Sequence, residues 1–283
     1  MIVPNIIKTD AVREHYDDLD WIYRDVWGLH VHHGLWQTGK ESPEAAVEAL
    51  VDCVAAELEV QPGQRICDIG CGYGASAKYL AERHGIEVTG LTISPAQAAV
   101  AQQLNPQLGS VEILCRDWLD NGLPELSFDS AYAIESTEHI ADKPAFFREA
   151  WRTLRPGGRL AVCAWLADAQ SSRVSIRYLL EPICREGRLP GMGTREEYEQ
   201  MAANAGFSLV AYEDLSSKVR RTWSICARRL LAKLATDSRY RKLIVDPGFE
   251  NRVFLLSIPR LIVALRTGTM RYGLFTWQRT GDA

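Results

Sequence analysis

The sequence has no CxxC pair, no internal repeat, no low-complexity tract and no massed basic residues, and no run approaches the roughly 20 apolar residues of a membrane-spanning helix. Each absence removes a class of function. The cysteines at 53, 67, 71, 115, 163, 184 and 226 are odd in number, and several sit in apolar, strand-like runs, so they read as reduced core thiols of a cytoplasmic protein. Cys67 and Cys71 lack the second pair or histidine cluster that a metal would need, so no metal is expected. The net charge of −4 is spread along the chain, which argues against nucleic acid as partner or substrate. The opening segment, MIVPNIIKTDAVREHYDDLD, shows neither an apolar targeting core nor an arginine-rich transit pattern. No integral membrane association is expected.

The 283 residues suffice for one large domain or two small ones. Residues 10–60 read as helices broken by WGLHVHHGLWQTGKESP, with Pro43 opening the second. Short apolar strands then alternate with amphipathic helices: strands near 64–69, 86–91, 111–115, 129–134 and 158–164, helices near 73–83, 95–104 and 143–154. This alternation predicts an α/β fold with a mostly parallel sheet and helices on both faces. RPGG at 155–158 reads as a stop and turn. A polar, arginine-containing stretch after Trp165 predicts an inserted helical cap around 168–205. A helix at 195–205, a strand at 207–212, helical stretches near 218–235 and 248–266 and a last strand, MRYGLFTWQ, complete the chain. The expected organisation is an N-terminal helical lid over 1–60 and a main domain over 61–283.

The stretch RICDIGCGYGASAKYL raises the functional question. In an open parallel sheet, ligands bind beyond the carboxyl ends of the strands, and the first strand-to-helix turn commonly lies there. Gly70, Gly72 and Gly74 fall in that turn, where they permit left-handed backbone and close ligand approach. Gly70-x-Gly72-x-x-Ala75 also satisfies the dinucleotide fingerprint, so a nicotinamide-dependent oxidoreductase is the alternative. Two residues weigh against it. Asp68 beside the turn would repel a pyrophosphate but suit an ammonium and a sulfonium, and the second strand ends in Thr92 where a dinucleotide site wants an acid.

DIGCGYG resembles the first motif of the class I S-adenosylmethionine-dependent methyltransferases, and CRDWLDNGLP, FDSAYAIESTEHI and TLRPGGRLAV stand where that family's later motifs stand. VWGLHVHHGLW, GLTISPAQ, ESTEHIADK and EDLSSKVRRTW are similar to the gamma-tocopherol methyltransferase-like group within it. The resemblance runs from about residue 15 to the C-terminus. It implies a Rossmann-like, seven-stranded methyltransferase fold, S-adenosyl-L-methionine as cofactor and a small-molecule acceptor, with a homodimer allowed for. It also implies that Asp68, Gly70, Cys71 and Gly72 surround the methionine part of the cofactor, with Thr92, Ile93 and Gln97 by the ribose, Asp117 and Trp118 by the adenine, and Ile134 and His139 completing the pocket.

Methyl transfer from a sulfonium is an in-line displacement, which requires aligned reactants and exclusion of water. Tyr16, Trp27, His32, His33 and Trp36 are the expected lid residues, their aromatic rings suited to a cavity beside a cation. His32 and His33 lack the further ligands that would make them a metal site. Glu135, Glu138 and His139 follow the fourth strand at the sheet's carboxyl edge and are the candidate catalytic residues, as bases for a phenolic acceptor. Helix capping or lid anchoring is the structural alternative for Glu138 and His139. The acceptor is expected to be hydrophobic: isoprenoid, aromatic or alkaloid-like. O-, N- and C-methylation stay open, as does a binding protein that keeps the turn without turnover.

Overall fold

In the computed structural model, which describes residues 2, 7, 9–246 and 252–281, seven strands form a single sheet. They are β1 Arg65–Ile69, β2 Glu87–Thr92, β3 Ser110–Cys115, β4 Phe128–Ile134, β5 Leu154–Ala167, β6 Phe207–Asp214 and β7 Met270–Arg279, in the order β3-β2-β1-β4-β5-β7-β6. β1 pairs parallel with β2 and β4, β2 with β3 and β4 with β5, while β7 runs antiparallel to both β5 and β6. The strand order reverses at β1 and β4, so the mouth of the sheet lies between their carboxyl ends, where Asp68 and Glu135 sit.

The helices are α1 Thr9–Val26, α2 Pro43–Glu57, α3 Ala75–His84, α4 Pro95–Ala101, α5 Lys143–Thr153, α6 Arg173–Ser175, α7 Glu181–Glu186, α8 Arg195–Asn204, α9 Ser216–Val219, α10 Arg221–Thr236, α11 Ser238–Val245 and α12 Arg252–Thr267. A π turn over Ile176–Leu180 joins α6 to α7. Local chemistry sets several starts. Ser42, Ser94, Asp142 and Thr194 each accept a backbone N–H of the first turn of α2, α4, α5 and α8, and proline stands within the first two positions of the first three. In α1, Val12, Leu19, Ile22 and Val26 are buried at helical spacing, which gives the helix one apolar face.

Among the described residues, three large clusters fill most of the interior, beside two small ones. One packs Leu50 and Val54 of α2 and Leu80 of α3 on one sheet face, and another packs Phe146 and Phe147 of α5 and Tyr198 of α8 on the other. A third lies around the cap, where Leu19 and Ile22 of α1 meet Ile183 of α7, Trp223 and Cys226 of α10 and Leu261 of α12.

The strand and helix positions follow the sequence reading to within a few residues, with three departures. β5 begins at Leu154, ahead of the expected turn and at the end of the expected helix, because Phe128 pairs with Leu154 before a register shift and Gly157 takes a φ of 79°. The turn becomes an irregular entry to the strand. α4 ends at Ala101 rather than near 104, and α11 is an additional helix; residues 248–251 of the last expected helix lie outside the described residues.

Candidate active site

Asp68 is the penultimate residue of β1, near the mouth of the sheet, and is 2 % exposed. Burial pushes its carboxyl up to about 7, against the hydroxyl that Tyr132 donates at 2.8 Å. A buried carboxylate with one neutral donor favours a cation beside it. Gly70 and Gly72 follow at φ of 84° and 54°. A Cβ on Gly70 would lie 2.3 Å from that of Ser136, so the turn packs directly on the loop after β4. A Cβ on Gly72 would meet nothing nearer than Gln97 Nε2 at 3.9 Å, so it would project into open space. Cys71 donates its N–H to Leu91 O at 2.7 Å, and its side chain fills the room that Gly90 leaves on β2.

A cavity of about 910 Å³ runs from this turn past Thr92, Ile93, Gln97, Asp117, Trp118, Ile134 and His139. Thr92 donates to Gln97 Oε1 at 2.9 Å. Asp117 accepts from the N–H of Leu119 at 2.9 Å, and the Trp118 indole donates to Phe146 O at 3.2 Å, which fixes its ring as a wall. A smaller extension of about 350 Å³ takes in Asp68, Cys71, Tyr73, Ser76, His30 and His32. The expected cofactor residues therefore line one continuous pocket. Its features fit a donor with an ammonium at Asp68, a slender chain along Gly72 and a flat ring beside Trp118.

α1 closes over this pocket through three side-chain hydrogen bonds. Tyr73 donates to Asp20 Oδ1 at 2.7 Å, Ser94 donates to Asp17, and Tyr16 and His139 share a bond of 2.8 Å.

Beyond His139 lies a second space of about 530 Å³, walled by Tyr16, Tyr23, Trp27, Trp165 and Trp223 and floored by His33, Glu135 and Glu138. The two carboxylates there live in different surroundings. Glu135, with φ of 54°, accepts from the His33 backbone at 2.7 Å, His33 Nδ1 at 2.9 Å, the Tyr272 hydroxyl at 2.8 Å and the Trp165 indole at 3.0 Å. Burial alone would raise its pKa, but His33 and these donors hold it down at about 2. Glu138 accepts the Trp165 backbone N–H and a 3.3 Å bond from Thr137, with its own backbone N–H also contributing. Burial, with the negative charge of Glu135 nearby, lifts it to about 7. Burial keeps His139 neutral, its pKa down at about 3, helped by His15 and Lys143.

Not every expected lid residue faces the same space. Tyr16, Trp27, His32 and His33 border this second space, but Trp36 turns away, its indole donating to Thr222 at 3.3 Å under the Arg221 guanidinium. Tyr23, Tyr132, Trp165, Trp223 and Tyr272 were absent from the expected set. Each reaches the site from a strand end or helix whose local pattern says only that it is buried.

The model of the mycolic acid cyclopropane synthetase family matches residues 5–244. The chain belongs to this family. It is an S-adenosyl-L-methionine-dependent methyltransferase. It is 32 % identical over 222 residues to the O-methyltransferase resE of Aspergillus sclerotiorum, covering 77 % of this chain and 83 % of that one. It is 26 % identical over 296 residues to the chloroplastic tocopherol O-methyltransferase of Arabidopsis thaliana, covering 96 % and 84 %. Among solved structures, the [4+2]-cyclase SpnF superposes over 99 % of both chains with a TM-score of 0.79 at 26 % identity. The class I methyltransferase fold and the tocopherol-like grouping stand, and nothing supports the nicotinamide alternative. No helix of the described residues is long and apolar enough to cross a membrane. Among those residues, no group of three or more histidine, cysteine or acidic side chains is arranged to hold a metal.

Proposed function

We propose that this methyltransferase methylates a hydroxyl group on a small, apolar, aromatic acceptor, with Glu138 as the proton acceptor. The observation that carries this is the contrast between two neighbouring buried carboxylates on one cavity: Glu135 accepts from four donor groups and is held down, whereas Glu138 has fewer donors and is pushed up. Where environments drive two acids apart, the one near neutrality is suited to proton transfer. Glu135, its oxygens occupied by four donor groups, is a positioning residue that ties the His33 loop to β4, β5 and β7. His139, too weak a base at about 3, positions Tyr16 and borders both cavities.

The bound cofactor supplies an electrophilic methyl group. This chain's residues hold the acceptor ring between aromatic walls, keep water out beneath α1, and remove the hydroxyl proton to Glu138. Among the described residues lining the acceptor cavity none is lysine or arginine, which favours a neutral acceptor over a diphosphate. The names of the relatives, two of them O-methyltransferases, lend support. A cytoplasmic location agrees with seven free thiols, and neither nucleic acid nor a membrane is the proposed partner; a homodimer remains the proposed assembly. The lid proposal narrows to α1 and the loop over 27–36, since α2 packs in the sheet cluster.

A panel of phenols, amines and prenyl diphosphates, with S-adenosylhomocysteine release as readout, tests the reading. Phenols are expected to turn over, with kcat/KM rising as pH passes about 7, and Glu138→Gln is expected to lower the rate by about 10²- to 10⁴-fold and erase that rise. Turnover of amines alone would remove the hydroxyl assignment, and an unimpaired Glu138→Gln would remove the base.

A further inference from the structure

Two side chains bordering the acceptor cavity carry a nitrogen that is sealed from solvent and has no hydrogen-bond partner among the described residues: Trp223 at its indole Nε1 and His33 at Nε2. These residues are 3 % and 1 % exposed. A buried polar atom left unpaired weakens a fold by more than an ordinary hydrogen bond contributes, so it marks a place where something else completes the bond. The indoles of Trp36, Trp118 and Trp165 each reach an oxygen, whereas Trp151 and Trp277, unpaired like Trp223, border none of the cavities described above.

Packing brings the pair together. Trp223 of α10 and His33 of the 27–36 loop stand edge to face with ring centroids 5.4 Å apart, and Trp165 and Trp27 brace the indole at 5.8 and 5.7 Å. The chemistry of each nitrogen is set. An indole can only donate. His33 Nδ1 lies 2.9 Å from both oxygens of the ionised Glu135, so it carries the ring proton, and Nε2 of the neutral imidazole is left with a lone pair. A donor and an acceptor side by side complement one hydroxyl group, which accepts from the first and donates to the second.

We infer that Trp223 and His33 are specificity residues that hold a hydroxyl of the acceptor other than the one methylated. The reacting oxygen is the wrong partner for them, because a bond donated by the indole would tie up the lone pair that has to meet the methyl carbon, and its proton goes to Glu138. The pair instead decides which hydroxyl is presented to the methyl group, and it disfavours acceptors that leave the two nitrogens unpaired. This role rests on the hydroxyl acceptor proposed above.

The experiment measures binding of phenol, catechol, resorcinol and hydroquinone, with the three matching fluorophenols, to the full-length protein loaded with S-adenosylhomocysteine, and identifies the products formed with S-adenosylmethionine. One dihydroxy isomer is expected to bind about 5- to 150-fold more tightly than phenol, the equivalent of two ordinary hydrogen bonds, and its fluoro counterpart is expected to show no such gain. Trp223→Phe should narrow that preference by about 2- to 12-fold. Equal affinity for phenol and every dihydroxy isomer, as when water serves both nitrogens, would overturn the inference, and so would an undiminished preference in Trp223→Phe. Should that variant not fold, a crystal structure of the wild-type complex decides: an acceptor oxygen at hydrogen-bond distance from Trp223 Nε1 supports the inference, and none there removes it. A preference that the variant narrows, without a methylated product from any phenol, would keep the pair and overturn the hydroxyl assignment instead.

Discussion

Gly72 takes a left-handed backbone where its absent side chain leaves open space, beside a carboxylate buried without a full complement of donors. Gly72→Val should abolish cofactor binding, since a branched side chain strains the backbone and fills the room along the turn; calorimetry with S-adenosylhomocysteine measures it, and unchanged affinity would refute it. Asp68 makes a second prediction. Its pKa is raised to about 7, and only the ionised form attracts an ammonium, so affinity should climb by up to tenfold per pH unit below about 7 and level off above it. Asp68→Asn should bind weakly at every pH and show no slope. Both residues were legible in the sequence because glycines and a lone acid at the end of an apolar strand form a local pattern. Tyr132, which bonds to Asp68 from β4, was not, since 64 positions separate the partners and its neighbours read simply as a buried strand.

α1 illustrates what the sequence tells at the level of an element. Its apolar spacing predicts the helix, but which loops it covers depends on three hydrogen bonds to residues far along the chain, Tyr73, Ser94 and His139. If those bonds hold the lid closed, Tyr73→Phe should speed release of S-adenosylhomocysteine by about 2- to 12-fold, the equivalent of one ordinary hydrogen bond, with little change in circular dichroism. Stopped-flow displacement gives the rate, and identical release would show that α1 is held by packing alone. The same reasoning explains Trp36: loop residues have no helical or strand phase from which an inward or outward direction follows, so an aromatic there can face the acceptor cavity or turn away from it. Glu135 was recognised by its place after β4. Its anchoring role depends on His33, Trp165 and Tyr272, drawn from a loop and two other strands, which only the folded chain assembles.

The molecule as a whole reads well from sequence because apolar strands alternating with amphipathic helices admit few topologies, and the glycine turn marks the first crossover. A ligand that binds only the folded form raises its melting temperature. S-adenosylhomocysteine at about a hundred times its Kd should add about 2.7 kcal/mol, a shift of about 5 °C for a chain of this length, whereas NAD should produce none. A shift with NAD alone would revive the discarded cofactor. The cap, finally, packs Leu19, Ile183, Trp223 and Leu261 into a cluster of their own, apart from the two that clothe the sheet. Tyr73 of the donor turn belongs to that same cluster, so drift elsewhere in it can reshape the surface that chooses the acceptor while the two clusters on the sheet stay packed. Such an arrangement lets descendants of one ancestor acquire new chemistries of recognition by few substitutions, and it gives directed evolution a natural place to concentrate its libraries.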